Sequence, residues 1–357
     1  MKRRQFIGGL AAGAALGATA PVRAQTKHKW RMTTTWPKDF PGLGTGANRL
    51  AQYISEMSNG EIEVTVHGAG EIVPALEAFE AVATGTVQMG HGAAYYWKGK
   101  APAAQYFAAV PFGLTAQEMN AWIYHGGGQA LWDELYAEFN LKPFLAGNTG
   151  VQMGGWFNRE INSLDDMKGL KMRIPGLGGD VLSAIGAVPK LLPGGEIFTA
   201  LQSGVIDATE WVGPYNDLAF GFYKAAKYYY YPGWHEPGTA LETFVNKQAY
   251  DALPSHLQAA IAAAAQAANL DMLAEFGARN GDALATLVDK HGVELRGFPT
   301  EVLARLKSVS EQVVGDVAAG DSASGKVHKA FIDFRGKASQ WTGLSEYAYV
   351  QARDKSA

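Results

Sequence analysis

The sequence predicts an α/β protein of two similarly built lobes around a cleft, with one long helix spanning both. Three observations carry that expectation. Beyond its first residues the chain alternates strand and helix patterns in the order βαβαβ, which requires a parallel sheet with helices on its faces. The stretch Glu77 to Gly90, "EAFEAVATGTVQMG", returns at Glu196 to Thr209 as "EIFTALQSGVIDAT", with Glu, Phe, Ala and Gly coinciding. A helical pattern from about Pro254 to His291 would exceed about 50 Å at ~1.5 Å per residue, more than one lobe of this size is wide.

The first 24 residues join a Lys-Arg-Arg start to a Gly/Ala-rich apolar run and a small-residue end at Ala24, the pattern of an export signal cleaved near that point. Arg3-Arg4 followed by Gln5-Phe6-Ile7 resembles a twin-arginine signal, an ordinary Sec signal being the alternative; both routes lead to the periplasm. No other apolar stretch reaches the ~18 residues of a membrane span. The 357 residues contain no cysteine, which excludes disulfides, thiol chemistry and cysteine-ligated zinc. Removing the four basic residues of the signal from the 31 present leaves 27 against 34 acidic ones. That formal charge of about -7 argues against nucleic acid as a partner.

Along the mature chain, "KWRMTTTW" reads as a strand, and "GANRLAQYISEMSNG" places Leu50, Ile54 and Met57 at helical spacing before stopping at Gly60. "EIEVTVHG" alternates as a strand, and a helix at "PALEAFEAVATG" leads to the short strand "TVQMGHG". If the repeat is structural, its offset of 119 sets His91 opposite Glu210 and Tyr96 opposite Tyr215, each just past a strand's carboxyl end, where open α/β sheets place ligands. A second lobe follows with strands at "VQMGGWFN" and "LKMRIPG", a short helix near 179–185 and the tyrosine run 228–231. After the long helix come a strand at "VELRGFP" and a helical stretch from about 301 to 335. These patterns divide the chain into a signal at 1–24, lobe I at 25–149 plus about 239–275, lobe II at 150–238 plus about 276–335, and a C-terminal segment at 336–357.

No GxSxG, HExxH, Walker A or GxGxxG motif is present, and the eight histidines form no ligand pair at helical spacing. Arg173 in "LKMRIPG" ends its strand, either as a surface arginine on an edge or as a forked donor for a carboxylate. Glu210, Trp211, Gln152 and Glu236 adjoin turns and aromatic rings in "ATEWVGP", "TGVQMGG" and "PGWHEPG". Each alone fits a hydrogen-bonded structural role; together they offer carboxylate, amide and main-chain oxygens, the donors of a hard cation.

Four stretches in combination, "FPGLGTGANRLAQYI", "HGAGEIVPALEAFEAV", "GLKMRIPGLGG" and "LPGGEIFTALQSGVIDATEWVGPYNDLAFGFYKAAKYYYYPGWHEPG", make the chain resemble a solute receptor of the tripartite ATP-independent periplasmic (TRAP) transporters, in the branch that binds 2-oxo acids. The resemblance covers essentially the whole mature chain. It implies a two-lobed periplasmic binding protein fold, a ligand enclosed between the lobes, and a salt bridge from Arg173 to the ligand carboxylate. It further implies a sodium ion, or calcium as in lactate-binding relatives, held by Gln152, Glu210, the Trp211 carbonyl and, as a further candidate, Glu236. Tyr95 would touch the ligand, with Tyr96, Asn158, Tyr215 and Asn216 as pocket candidates by position. The branch dimerises by exchanging a C-terminal helix, and its receptors deliver ligand to membrane subunits. Pyruvate, longer 2-oxo acids and lactate all remain open as ligands. The rival reading is an exported enzyme acting on a small acid, with Glu210 or His91 as base.

Overall fold

A computed structural model describes residues 28–355; the signal expected at 1–24 lies outside the described residues. Among the described residues eleven strands run in chain order as β1 (His28–Thr34), β2 (Ile62–His67), β3 (Met89–Gly92), β4 (Leu141–Asn148), β5 (Gly155–Phe157), β6 (Lys171–Arg173), β7 (Val188–Lys190), β8 (Ala208–Thr209), β9 (Tyr228–Tyr231), β10 (Ala240–Asn246) and β11 (Glu294–Gly297). They form two sheets, one ordered β2-β1-β3-β10-β4 and the other β11-β9-β5-β8-β6-β7. Each sheet anchors one lobe.

The sequence repeat is also a repeat of topology. β3 lies between β1, parallel to it, and β10, antiparallel. β8 likewise lies between parallel β6 and antiparallel β5. Met89 and Ala208, which the offset aligns, each open their strand. The carboxyl ends of β3 and β8 are therefore equivalent places in the two lobes, and both open on the cleft.

Five helices matter for the site: α1 (Leu43–Met57), α2 (Pro214–Phe220), α3 (Ser255–Ala285), α4 (Thr300–Gly320) and α5 (Ser322–Thr342). In α1, Ala47, Leu50 and Ile54 bury one face against the first sheet, whereas Met57, one turn further, lies past the packed region and is 46% exposed. Gly60 then takes a positive φ of 80° that a side chain would resist. The long helix starts after Pro254 and continues beyond Ala285 through a π-helical turn, Thr286–Lys290. Its buried Leu257, Ile261 and Ala264 face the first sheet, and Phe276 lies against Gly42 at the start of α1. It also packs on α2 of the second lobe, so it spans both lobes.

The helical stretch expected from 301 to 335 is two helices. Asp321 leaves helical geometry (φ -154°, ψ 163°) and caps α5, accepting from the Ser324 N-H, so an aspartate followed by serines acts as a start signal inside an otherwise helical pattern. α4 packs on the second lobe, at the helix Gly176–Ala184, while α5 returns to the first lobe at Pro102–Phe107 and Gly128–Ala137. The chain continues helically to Lys355. Among the described residues no helix is long and apolar enough to cross a membrane.

Candidate functional site

Three pieces of backbone converge between the lobes. From the second sheet come the parallel strands β6 and β8, where Arg173 lies opposite Thr209 and Glu210 follows directly. Two crossing segments pass between the sheets, 149–154 after β4 and 232–239 before β10. They are stitched together by main-chain hydrogen bonds from Thr149 N to Thr239 O (3.1 Å), Gln152 N to Glu236 O (3.1 Å) and Gly233 N to Gln152 O (2.9 Å). The first lobe contributes Trp36, just after β1, and Tyr95 and Tyr96 in the turn Ala94–Trp97 after β3.

Arg173 is 1% exposed, which removes the reading of a surface arginine. Its Nε donates to Leu192 O (3.1 Å), Nη1 to Glu210 O (3.3 Å) and to Glu210 Oε1, and Nη2 to the Tyr96 hydroxyl (3.4 Å). The guanidinium carbon lies 5.1 Å from the Trp211 ring centroid. Burial works against its charge, but Glu210 and the two tyrosines hold its pKa above the ordinary value. It is a fixed cation in a closed seam.

Burial pushes the Glu210 carboxyl up to about 7 against the pull of Arg173. Glu236 is also pushed up to about 7, by burial and then by the neighbouring Glu210, while its Oε2 accepts from Thr239 Oγ1 at 2.6 Å. Gln152 donates from Nε2 to Thr149 Oγ1 and Thr239 Oγ1, both at 3.1 Å, which fixes its amide and turns Oε1 away from any donor. Glu210 Oε2 is likewise buried without a hydrogen-bond partner. Buried acceptors without donors carry a desolvation cost of about 1–3 kcal/mol each, which a hard cation would relieve. Gln152 Oε1 and Glu210 Oε2 are oxygens of the kind a sodium- or calcium-like ion takes, and Glu236 adds a carboxylate beside Glu210.

His235 belongs to the same cluster. One ligand atom from each of Glu210, His235 and Glu236 falls within 4.8 Å of the others, and His235 Nε2 is 3.5 Å from Glu210 Oε2. Burial drives its pKa down to about 4, so it is neutral at pH 7. His91 is also neutral, pushed down to about 4 by burial; its Nδ1 accepts from Trp36 Nε1 (2.8 Å) and its Nε2 lies 3.4 Å from Ala146 O. Held on both sides, His91 orients Trp36 and is no base for a ligand.

Beside this cluster the lobes leave only a narrow cavity, with about 10 Å³ of room for a water-sized molecule. Trp36, Tyr95, Tyr96 and Trp211 wall it with rings, Leu43, Val212 and Leu241 add aliphatic surface, and Thr149 and Gln152 supply polar atoms. Tyr95 approaches the second lobe so closely that a Cβ on Gly176 (φ 58°) would stand 3.0 Å from Tyr95 Cβ, so this glycine permits both the turn and the contact.

Three positional candidates lie elsewhere. Asn158 is exposed at the far end of β5, its N-H donating to Asp207 O (3.2 Å); β5 runs antiparallel to β8, so following it forward leads away from the cleft. Tyr215 and Asn216 join the lobes instead of lining the cavity. The Tyr215 hydroxyl donates to Glu275 Oε1 (2.8 Å) on α3, and Asn216, fully buried, donates to Pro41 O (2.9 Å). Lys98 adds another crossing, to Asp180 Oδ1 (2.6 Å) and Gly176 O (3.3 Å). Sequence reasoning did not single out His235, Thr239, Thr149 or Trp36. Histidine spacing on helices carried no sign of His235, which arrives on an irregular crossing segment.

Residues 32–321 match the family described as bacterial extracellular solute-binding protein, family 7. The chain belongs to this family. A monocarboxylate 2-oxoacid-binding periplasmic protein of Nostoc is 44% identical over 358 residues, covering 98% of each chain. A TRAP transporter solute-binding protein from Bordetella bronchiseptica, a mixed-occupancy dimer with calcium and picolinate in one active site, superposes with a TM-score of 0.91 at 37% identity, over 93% of this chain and 98% of that one. A TRAP periplasmic solute-binding protein from Pseudoalteromonas atlantica with bound sodium and pyruvate gives 0.88 at 42% identity, over 91% and 99%. The family 7 receptor described here is thus a TRAP solute receptor by sequence and by fold.

Proposed function

We propose that this receptor binds a small 2-oxo monocarboxylate, pyruvate or a longer homologue, in the periplasm and passes it unchanged to TRAP membrane subunits. The observation that carries this reading is the buried Arg173 beside an all-oxygen donor set at the crossing segments. Arg173 would grip the ligand carboxylate with two parallel N-H groups, and Tyr95 and Tyr96 would close over it from the first lobe. Gln152, Glu210, the Trp211 carbonyl and Glu236 would hold a sodium ion, or calcium in its place, whose charge also draws the ligand's own oxygens. The Nostoc relative and the pyruvate-bound neighbour support the ligand class, and the two neighbours with different ions support both ion assignments. The signal-like first 24 residues support the periplasm, and the Bordetella dimer supports a homodimer. Lobe I then takes 25–149 and about 239–275, and lobe II 150–238 and about 276–320, with the expected lobe II stretch beyond 321 packing back on the first lobe.

The deciding experiment follows tryptophan fluorescence of chelator-stripped protein as pyruvate is added in sodium-free, sodium and calcium buffers. Trp36 and Trp211 wall the cavity, so saturable quenching that requires a cation is expected, and pyruvate should be recovered chemically intact. Absence of a response in all three buffers overturns the ligand assignment, and turnover of the acid overturns the receptor reading. Lactate and longer 2-oxo acids are ranked in the same assay.

A further inference from the structure

One threonine from each crossing segment converges on Gln152. Thr149 and Thr239 are both fully buried, and the pairing of their main chains, Thr149 N to Thr239 O at 3.1 Å, sets the two side by side. Asn148 locks that register: its Oδ1 accepts from Gly150 N (2.8 Å) and its Nδ2 donates to Gly238 O (3.2 Å). None of these bonds involves Trp36, Tyr95 or Tyr96, the residues that the first lobe brings to the seam.

The polarity of both hydroxyls is fixed from behind. A hydroxyl carries one proton. Thr149 Oγ1 gives its proton to Gly150 O (3.1 Å), a carbonyl that can only accept, and Thr239 Oγ1 gives its proton to Glu236 Oε2 (2.6 Å). Each hydroxyl therefore turns a lone pair toward Gln152, and only the amide nitrogen can meet it, as Nε2 does at 3.1 Å in both cases. The two ends of an amide are nearly the same size, so packing alone does not choose between them. With both protons of the nitrogen held, Oε1 is left buried and without a donor. Reversed, the amide would present N-H groups there, which repel a cation.

We propose that Thr149 and Thr239 are positioning residues for the cation: by taking the two amide protons they hold the Gln152 carbonyl oxygen toward the ion, and so set the sign of the charge that this corner of the site accepts. This rests on the bridging-ion reading above. Neither threonine need touch the ion. Their effect runs through Gln152, which separates it from packing: a valine in either place keeps the branched shape but accepts no hydrogen bond.

The test uses the pair Thr149→Val/Thr239→Val, the conservative pair Thr149→Ser/Thr239→Ser, and the valine pair in a Gln152→Ala background. Cation affinity is read without pyruvate, as the rise of Tm with calcium or sodium in chelator-stripped protein, and again as the cation concentration that gives half of the pyruvate-induced fluorescence change. The valine pair, its fold checked by circular dichroism, is expected to need about tenfold more cation or beyond. The serine pair keeps both acceptors and should stay within about threefold of wild type. In the Gln152→Ala background the valine substitutions should alter the cation requirement by no more than about twofold, because the residue they act through is gone. Wild-type cation affinity in the valine pair overturns the proposal, as does an equal loss when Gln152 is already alanine. If the valine pair does not fold, the single valine variants carry the same test. Should wild-type protein bind no pyruvate while its Tm still rises with the ion, the ligand assignment fails alone and the Tm series decides the threonines. No effect of either ion on wild-type protein overturns the proposal together with the ion site.

Discussion

The Arg173 guanidinium donates to both the side chain and the main chain of Glu210, one strand over, and both residues are 1% exposed. The group that would hold an anion and the group that would hold a cation are thus each other's partner. Neither is left as an uncompensated charge, and each keeps capacity for a further contact: Nη2 has only the long Tyr96 interaction, and Glu210 Oε2 has no donor. A salt bridge of this kind organises a polarity in a closed space, and its net contribution to stability is small once desolvation is counted.

Arg173→Lys keeps the charge but loses the planar fork. Pyruvate affinity should fall by about two orders of magnitude, roughly 3 kcal/mol, with the fold retained, as read by calorimetric titration and circular dichroism. Affinity within threefold of wild type would remove Arg173 from the binding machinery.

Protons compete with the cation. Glu210 and Glu236, both pushed up to about 7, are its proposed ligands and would have to be ionised to hold it. Lowering the pH from 8 to 6 should therefore weaken cation-dependent binding, by up to about tenfold per pH unit for each proton displaced. Glu210→Gln should abolish the cation requirement together with most of the affinity, and a variant that still binds in a cation-dependent way would sink the ligand set.

Stability of the ligand-free protein carries its own pH signature. Burial raises Glu242, beside Trp97 and Tyr136, to about 8 and Asp217 to about 7. Raised carboxyls bind more protons folded than unfolded, so their contribution is lost as pH rises through the folded pKa. His91 and His235, lowered to about 4, act the other way, but only up to their unfolded value of 6.5. Between pH 6.5 and 8 the carboxyls alone remain, and Tm should fall. Glu242→Gln should flatten that fall; a Tm that rises over this window would contradict it.

Contacts that exist only between closed lobes should act on release. Asn216→Ala removes a buried hydrogen bond to Pro41 O and should raise koff about fivefold to tenfold, roughly 1 kcal/mol, with kon unchanged in stopped-flow traces. Lys98→Ala, which breaks the half-exposed pair with Asp180, should change koff by no more than about twofold.

The C-terminal helical segment displays Trp341 (71% exposed), Leu344 (81%) and Tyr349 (66%) with little cover from its own chain. Deleting residues 341–357 should turn the proposed homodimer into a monomer in sedimentation experiments while pyruvate binding persists. A truncated protein that remains dimeric would place the interface elsewhere.

Much of this architecture was legible because it rests on local patterns. The βαβαβ order, the glycine stops and the length of α3 follow from periodicity and turn chemistry. Arg173 and Glu210 were legible because strand ends in a parallel sheet point to one edge. Asn158 was misjudged because a strand's pattern is the same read in either direction, and β5 runs against its neighbours. His235 and Thr239 were invisible for a different reason: they sit on a crossing segment without period, and only the main-chain pairing of two distant segments brings them to the site.

The helix α3 and its π turn form one rod from Ser255 to Lys290 that touches both lobes. A hydrogen-bonded rod neither stretches nor shortens appreciably. With the crossing segments pinned beside it, the lobes keep a fixed separation and are left with essentially one soft coordinate, a mutual rotation. Such a mechanism has few configurations to lose when it shuts, so a ligand of a handful of atoms can drive a motion of the whole molecule.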